Sequence, residues 1–249
     1  MVLYGLIGFP LGHSNSADVF NEKFRQEGKY SHEYRLFPIN DLKGFHALIE
    51  SQPELCGLNV TIPYKIKIIE FLDELDETAQ NIGAVNTIKI FREGKTYRTH
   101  GYNTDAGGFL QSLPHPVPFS KALILGTGGA ARAVAHALRS VHVHYHFVSR
   151  LNKTENTIPY GELTPQTMDD YKCIINATPV GMYPDINAYP PIPYEYLTPG
   201  HFLIDLIYNP PQTRFLKQGL AKKCKVMNGT KMLIHQANLA YSLFQEPEG

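Results

Sequence analysis

The sequence predicts an α/β protein of two domains, the second a Rossmann-like nucleotide-binding fold with a trimmed second crossover. Three observations predict it. Short apolar runs alternate with stretches of helical periodicity along the chain, a glycine-rich turn joins a buried-strand run to a helix near the middle, and a proline cluster separates the halves. A length of 249 residues favours two units over one, since domains usually run to about 100–200 residues.

Taken in order, Leu3 to Gly8, His32 to Phe37, Leu55 to Val60 and Thr87 to Phe91 read as strands. Phe20 and Phe24, then Leu42, Phe45, Leu48 and Ile49, recur at three- and four-residue spacing, so helices lie between the strands, with Asp41 as an N-cap. Pro114, Pro116 and Pro118 break any regular element and punctuate the chain near a domain boundary. Beyond them come a strand at Ala122 to Leu125, a helix at Ala130 to Leu138, and strands at Val143 to Val148, Ile174 to Ala177 and Leu203 to Ile207. This alternation implies a mostly parallel sheet covered by helices. Met232, Leu233, Gln236, Leu239, Ala240 and Leu243 give a closing helix over Lys231 to Phe244.

Composition excludes several function classes. With 23 Lys and Arg against 23 Asp and Glu, no net charge draws the chain toward nucleic acid or an anionic membrane surface. The cysteines Cys56, Cys173 and Cys224 are odd in number and far apart, which suggests neither a disulfide framework nor a thiolate metal site and points to a reducing cytoplasm. No apolar run reaches the roughly 18 residues of a membrane span, and no basic leader precedes Val2 to Gly8.

The turn Gly126-Thr127-Gly128-Gly129-Ala130 follows a buried-strand run and opens a helix. Glycines there permit a tight turn and let backbone N–H groups approach a diphosphate, which the helix N-terminus favours electrostatically. The alternative is a plain strand-to-helix turn, but the strand before and the helix after supply the context a dinucleotide site requires. At the end of the next strand an NAD enzyme places an acidic residue. This chain has Ser149-Arg150, and an arginine there suits a ribose 2′-phosphate better than a plain surface role, so the expected cofactor is NADP. Only about eight residues separate Arg150 from the apolar patch at Ile158, whereas a helical crossover needs about a dozen or more. A loop is therefore expected at 151–157 in place of the usual helix. His142, His144 and His146 alternate along one predicted strand face, but three imidazoles in line suit a metal poorly, and no metal site is expected.

Several further segments carry a family resemblance. They are Gly8-Phe9-Pro10-Leu11-Gly12-His13-Ser14-Asn15-Ser16, Gly57-Leu58-Asn59-Val60-Thr61-Ile62-Pro63-Tyr64-Lys65, Ile82 to Thr87 and Gly101 to Gly108. Ile175 to Met182, Asp205-Leu206-Ile207-Tyr208-Asn209-Pro210 and Asn228 to Gln236 follow in the same order. Over nearly its whole length the chain resembles the shikimate dehydrogenases. Two departures stand out: Ala17 and Phe20 replace a proline and a histidine at packing positions, and Ser149-Arg150-Leu151 keeps the arginine of the usual Asn-Arg-Thr cofactor segment but loses its neighbours.

The resemblance implies an N-terminal α/β substrate domain, 1–103 joined by the helix 231–249, and an NADP-binding domain over 104–230, with catalysis in the cleft between them. It implies Lys65 as the proton-transfer residue and Asp105 as its catalytic partner. Ser14, Ser16, Asn59, Thr61, Asn86, Tyr208 and Gln236 are the implied substrate ligands, and Thr178, Gly229 and Met232 join the glycine turn and Ser149-Arg150 in binding cofactor. The chemistry is consistent: hydride delivery to a ketone builds negative charge on oxygen, so a cation or acid is needed within about 3 Å of it. A polyol acid needs converging hydroxyls and amides. Taken singly, Ser16 reads equally as a helix cap and Tyr208 as a packed ring before a proline turn. The expected function is reversible NADPH-dependent reduction of 3-dehydroshikimate to shikimate, by a monomer or homodimer. A quinate or dual-specificity dehydrogenase, a non-catalytic ring-acid sensor and a methylene-tetrahydrofolate dehydrogenase-like enzyme are the alternatives.

Overall fold

Two six-stranded sheets form around strands whose apolar residues face both ways. The computed structural model describes residues 1–12, 14–94, 96–150 and 156–246. The first unit contains β1 (Val2–Gly8), α1 (Ser16–Gln26), β2 (His32–Pro38), α2 (Phe45–Ser51), β3 (Leu55–Val60), β4 (Glu74–Leu75), α3 (Glu77–Ile82), β5 (Thr87–Glu93) and β6 (Thr96–Tyr102). The second contains α4 (Asp105–Ser112), β7 (Lys121–Leu125), α5 (Gly129–Ser140), β8 (His144–Ser149), β9 (Thr157–Pro159), α6 (Pro165–Asp170), β10 (Cys173–Asn176), β11 (Phe202–Asp205), α7 (Arg214–Ala221) and β12 (Lys225–Met227). The last helix is α8 (Thr230–Gln245). Met1–Thr104 with Ala237–Gly249 make one unit and Asp105–Gln236 the other, so the second boundary lies inside α8 and not at its start.

In the first unit the strand order is β2-β1-β3-β5-β6-β4. β1 runs parallel to β2 and β3, while β5 is antiparallel to β3 and β6. Alternation along β1 sends Leu3 and Ile7 into one core with Phe45, Ile49, Leu58 and Ile88. It sends Tyr4 and Leu6 into another with Phe20, Phe24, Tyr34 and the end of α8. Phe20, one of the departures from the family pattern, is thus a buried packing residue of α1. Asp41 accepts from the Lys43 backbone N–H at 2.8 Å, but it caps a short 3-10 turn, and α2 begins only at Phe45.

The second sheet, β12-β11-β10-β7-β8-β9, is parallel throughout. Its order reverses direction between β7 and β10, which makes a topological switch point at their C-terminal ends. β8 and β9 pair in parallel and are joined by residues 150–156; of the loop expected at 151–157, residues 151–155 lie outside the described residues, and β9 already begins at Thr157. The three-histidine strip is corrected: His142 is left-handed (φ 58°) before the strand begins, so only His144 and His146 belong to β8. His146 pairs with the Tyr171 hydroxyl at 2.7 Å. β11 ends at Asp205 and not at Ile207, because the backbone turns there onto the Asp205 carboxylate.

Sequence periodicity misses β6, whose polar run Thr96-Tyr97-Arg98-Thr99-His100 pairs with β5 to bury Thr99 and Lys89. In β3 the small residue Gly57 admits the ring of Phe244 from α8: a Cβ placed there would stand 2.5 Å from that ring and 3.0 Å from the Ile88 carbonyl. Gly57→Ala should therefore destabilise the protein by about 1–3 kcal/mol. Adding Phe244→Leu should recover part of that loss, a non-additivity that a urea-denaturation double-mutant cycle would measure; strict additivity would refute the contact.

Candidate active site

The residues expected from sequence to bind substrate in the first unit lie where β1 and β3 end and β5 begins. Thr61 N–H bonds the Ile7 carbonyl at 3.0 Å and Phe9 N–H bonds the Ile62 carbonyl at 3.1 Å, which sets the loop after β1 beside the turn after β3. On that loop the Ser14 hydroxyl donates to the Ser16 hydroxyl at 3.2 Å and accepts from the Ser16 N–H at 3.3 Å. The capping reading of Ser16 is corrected: Asn15 occupies the N-cap of α1, without a side-chain cap, and Ser16 is the first helical residue.

A buried amide network joins β2, β3 and the start of β5. The Tyr34 hydroxyl donates to Asn59 Oδ1 at 2.8 Å, and burial pushes that phenol far above its usual range, so it stays a donor. Asn59 Nδ2 donates to the Asn86 carbonyl at 3.2 Å and to Thr87 Oγ1 at 3.1 Å. Asn86 Nδ2 donates to Thr104 Oγ1 at 2.9 Å, while its Oδ1 accepts the Thr104 N–H at 2.7 Å. Asn86 follows the left-handed Gly83 that ends α3. Lys65 is half-buried, and its carbonyl accepts the Val85 N–H at 2.7 Å, so its backbone is pinned beside Asn86. Asp105, only 4% exposed, opens α4 directly after Thr104.

In the second unit Gly126 is at φ +100°, a conformation that requires glycine, and a Cβ there would meet the Thr178 methyl at 2.9 Å. Thr178 thus faces the glycine turn across the switch point. Gly128 differs: its φ is ordinary and a Cβ would meet nothing within 4 Å, so neither strain nor packing calls for glycine. No side chain caps α5 at that residue, which suits a backbone cradle for a diphosphate. Thr127, Gly129 and Ala130 are half-buried around it, and Ser149 and exposed Arg150 stand at the C-terminal end of β8. The donor set therefore fits a phosphorylated dinucleotide. Tyr208 and Gln236 are half-buried and Met232 buried; Gln236 Nε2 donates to the Leu233 carbonyl at 3.1 Å. Among the described residues no group of three or more His, Cys, Asp or Glu is placed to hold a metal, and no helix is long and apolar enough to cross a membrane.

A second buried network was not singled out from sequence. Asp205, fully buried at the end of β11, accepts from Asn176 Nδ2 at 3.0 Å, the Ile207 N–H at 3.0 Å and the Thr213 hydroxyl at 2.6 Å. Asn176 Oδ1 in turn accepts the Thr178 hydroxyl at 2.6 Å. Desolvation pushes the Asp205 carboxyl up to about 6, against the three hydrogen bonds that lower it. The available sequence signal was a polar residue closing each of two apolar parallel strands, Cys173–Asn176 and Phe202–Asp205.

Comparison with known proteins adds the following. Residues 6–88 match the family model of the shikimate dehydrogenase substrate binding domain. A shikimate dehydrogenase (NADP(+)) of Desulforamulus reducens is 35% identical over 96% of this chain and 88% of its own length. The crystal structure of shikimate 5-dehydrogenase from Thermus thermophilus in complex with NADP(H) and shikimate superposes with a TM-score of 0.84 at 30% identity, covering 98% of this chain and 94% of that one. Quinate dehydrogenase from Corynebacterium glutamicum in complex with NAD gives 0.83 at 28% identity, over 98% and 93% of the two chains.

The Asp205 carboxyl makes stability depend on pH. Its pKa rises from 3.8 to about 6 on folding, so the folded state binds the proton more tightly. The resulting stabilisation is full below about pH 4 and is lost as pH rises through about 6, for a total near ~3 kcal/mol. The nearby Tyr194 phenol, itself pushed up by burial, stays neutral across this range. Asp205→Asn should remove that slope, so the wild-type advantage in urea unfolding shrinks between pH 4 and 7; an equal difference at every pH would contradict it.

Proposed function

Since the chain belongs to the shikimate dehydrogenase family, we propose that it interconverts 3-dehydroshikimate and shikimate reversibly with NADPH and NADP, in aromatic amino acid (chorismate) biosynthesis. The observation that carries this reading is the buried amide network, which fixes Asn86 beside Lys65 and delivers the chain to Asp105. The first unit is the substrate domain and the second the cofactor domain. The free thiols Cys56, Cys173 and Cys224 suit a reducing cytoplasm.

In this mechanism the Ser14 and Ser16 hydroxyls hold the substrate carboxylate, already turned toward each other on one short loop. Thr61, Asn59, Asn86, Tyr208 and Gln236 orient the ring and its hydroxyls. NADPH, when bound, would supply the hydride. As the carbonyl becomes an alkoxide, Lys65 Nζ sits at that oxygen, stabilises its charge and donates the proton, while Asp105 accepts a hydrogen bond from a substrate hydroxyl. On the cofactor side the glycine turn and the first N–H groups of α5 hold the diphosphate. Arg150 would meet the 2′-phosphate, which supports NADP over NAD, and Ser149, Thr178, Gly229 and Met232 would line the remaining path.

Initial rates of reduced-nicotinamide formation, with shikimate and quinate each offered NADP and NAD, test the assignment. Shikimate with NADP should be preferred; a preference for quinate or NAD would transfer the chain to the quinate branch, and tight binding without turnover would make it a sensor. Lys65→Ala should lower kcat by about 10²–10⁴-fold while ligand binding persists, and wild-type turnover would sink Lys65 as the proton donor. Arg150→Ala should raise KM for NADP about tenfold or more and leave KM for NAD unchanged, since a charge-assisted contact to phosphate contributes about 1.5–3 kcal/mol. An equal rise for both cofactors would remove Arg150 from the 2′-phosphate site.

A further inference from the structure

Asp205 occupies a place that ordinary core packing does not explain. It is fully buried, and the groups that hold its carboxylate are neutral: the Asn176 amide, the Ile207 backbone N–H and the Thr213 hydroxyl. A buried carboxylate held by neutral donors is costly compared with an apolar residue of similar volume. What it gains is geometric. Through Asn176 it reaches the loop after β10, because Asn176 Oδ1 also accepts the Thr178 hydroxyl at 2.6 Å and the Thr178 N–H at 3.1 Å. The Ile207 N–H fixes the first bend of the loop after β11, immediately before Tyr208. Thr213 donates to Asp205 and at the same time caps α7 by accepting the Leu216 N–H at 3.3 Å. The loop after β12 joins the same set, since Gly229 N–H bonds the Ile207 carbonyl at 3.1 Å.

One carboxylate thus organises the connections leaving three successive parallel strands, on the end of the sheet where Gly126 and Thr178 face each other. We propose that Asp205, with Thr213 orienting it, is a positioning residue for the cofactor: it holds Thr178 and Gly229 in register with the glycine turn, without itself touching the dinucleotide. The proposal rests on the reading of the second unit as the NADP-binding one.

The test is direct NADP binding by titration calorimetry on the full chain, alongside steady-state KM values for NADP and shikimate, at a temperature where each variant is folded by circular dichroism. Asp205→Ala should weaken NADP binding about tenfold, the loss expected when buried donors are left without an acceptor, with KM for shikimate within about twofold. Asp205→Asn, which keeps an acceptor oxygen, should restore most of the affinity. If Asp205→Ala does not fold, Thr213→Val and Thr213→Ser carry the same comparison, the first weakening NADP binding and the second not. A folded Asp205→Ala or Thr213→Val protein that melts earlier but binds NADP as tightly as wild type would overturn the inference and leave a merely structural role. A parallel rise in both KM values would overturn it as well. Wild-type protein that binds no NADP would instead sink the cofactor reading, and the inference with it.

Discussion

The buried side-chain amide of Asn86 is the contact on which the first unit depends. It is 2% exposed, and a buried amide that lacks partners costs as much as a broken hydrogen bond. Its oxygen and nitrogen are met by Thr104, at the point where the chain leaves β6. That requirement sets the register between the start of β5 and the residues after β6, and so fixes where α4 begins and where Asp105 stands. The backbone carbonyl of Asn86 in turn accepts from Asn59 on β3, which accepts from Tyr34 on β2. Side chains that carry hydroxyls and amides are thereby held by neighbours of the same chemistry, and buried polar contacts order this end of the sheet.

The second unit obeys the same rule with a different group. Parallel strands send their connections out from one end, and the polar residues that close β10 and β11 are buried among those connections. Asn176 and Asp205 satisfy each other and several backbone and hydroxyl groups besides. The glycine turn adds the complementary element, a helix N-terminus that has no side-chain cap from its N-cap residue Gly128. In each unit the apolar strands define the scaffold and a few buried polar atoms define the angle of the loops that leave it.

The legible part of this protein was what repeats locally. Strands β1, β3, β7, β10 and β11 are runs of apolar residues that periodicity detects, and the Gly126 to Ala130 turn has the glycine spacing that a strand-to-helix cradle needs. What escaped was whatever gains its role from a partner distant in sequence. β6 is polar along much of its length and becomes a strand because β5 lies beside it. His142 looked like part of a strand because alternation cannot register a left-handed residue, and Ser16 looked like a cap because spacing cannot say which of two adjacent polar residues sits at the helix boundary.

By itself the sequence determined the α/β class and the order of the main apolar strands and of the glycine turn, because strand and helix periods, glycine turns and ordered motifs are properties of neighbouring residues. Only the tertiary structure decided which polar groups are buried together. Tyr34 is 25 residues from Asn59, and Asn176 is 29 residues from Asp205. Such pairs form because a buried donor must find an acceptor wherever the fold brings one, and no local pattern encodes that meeting.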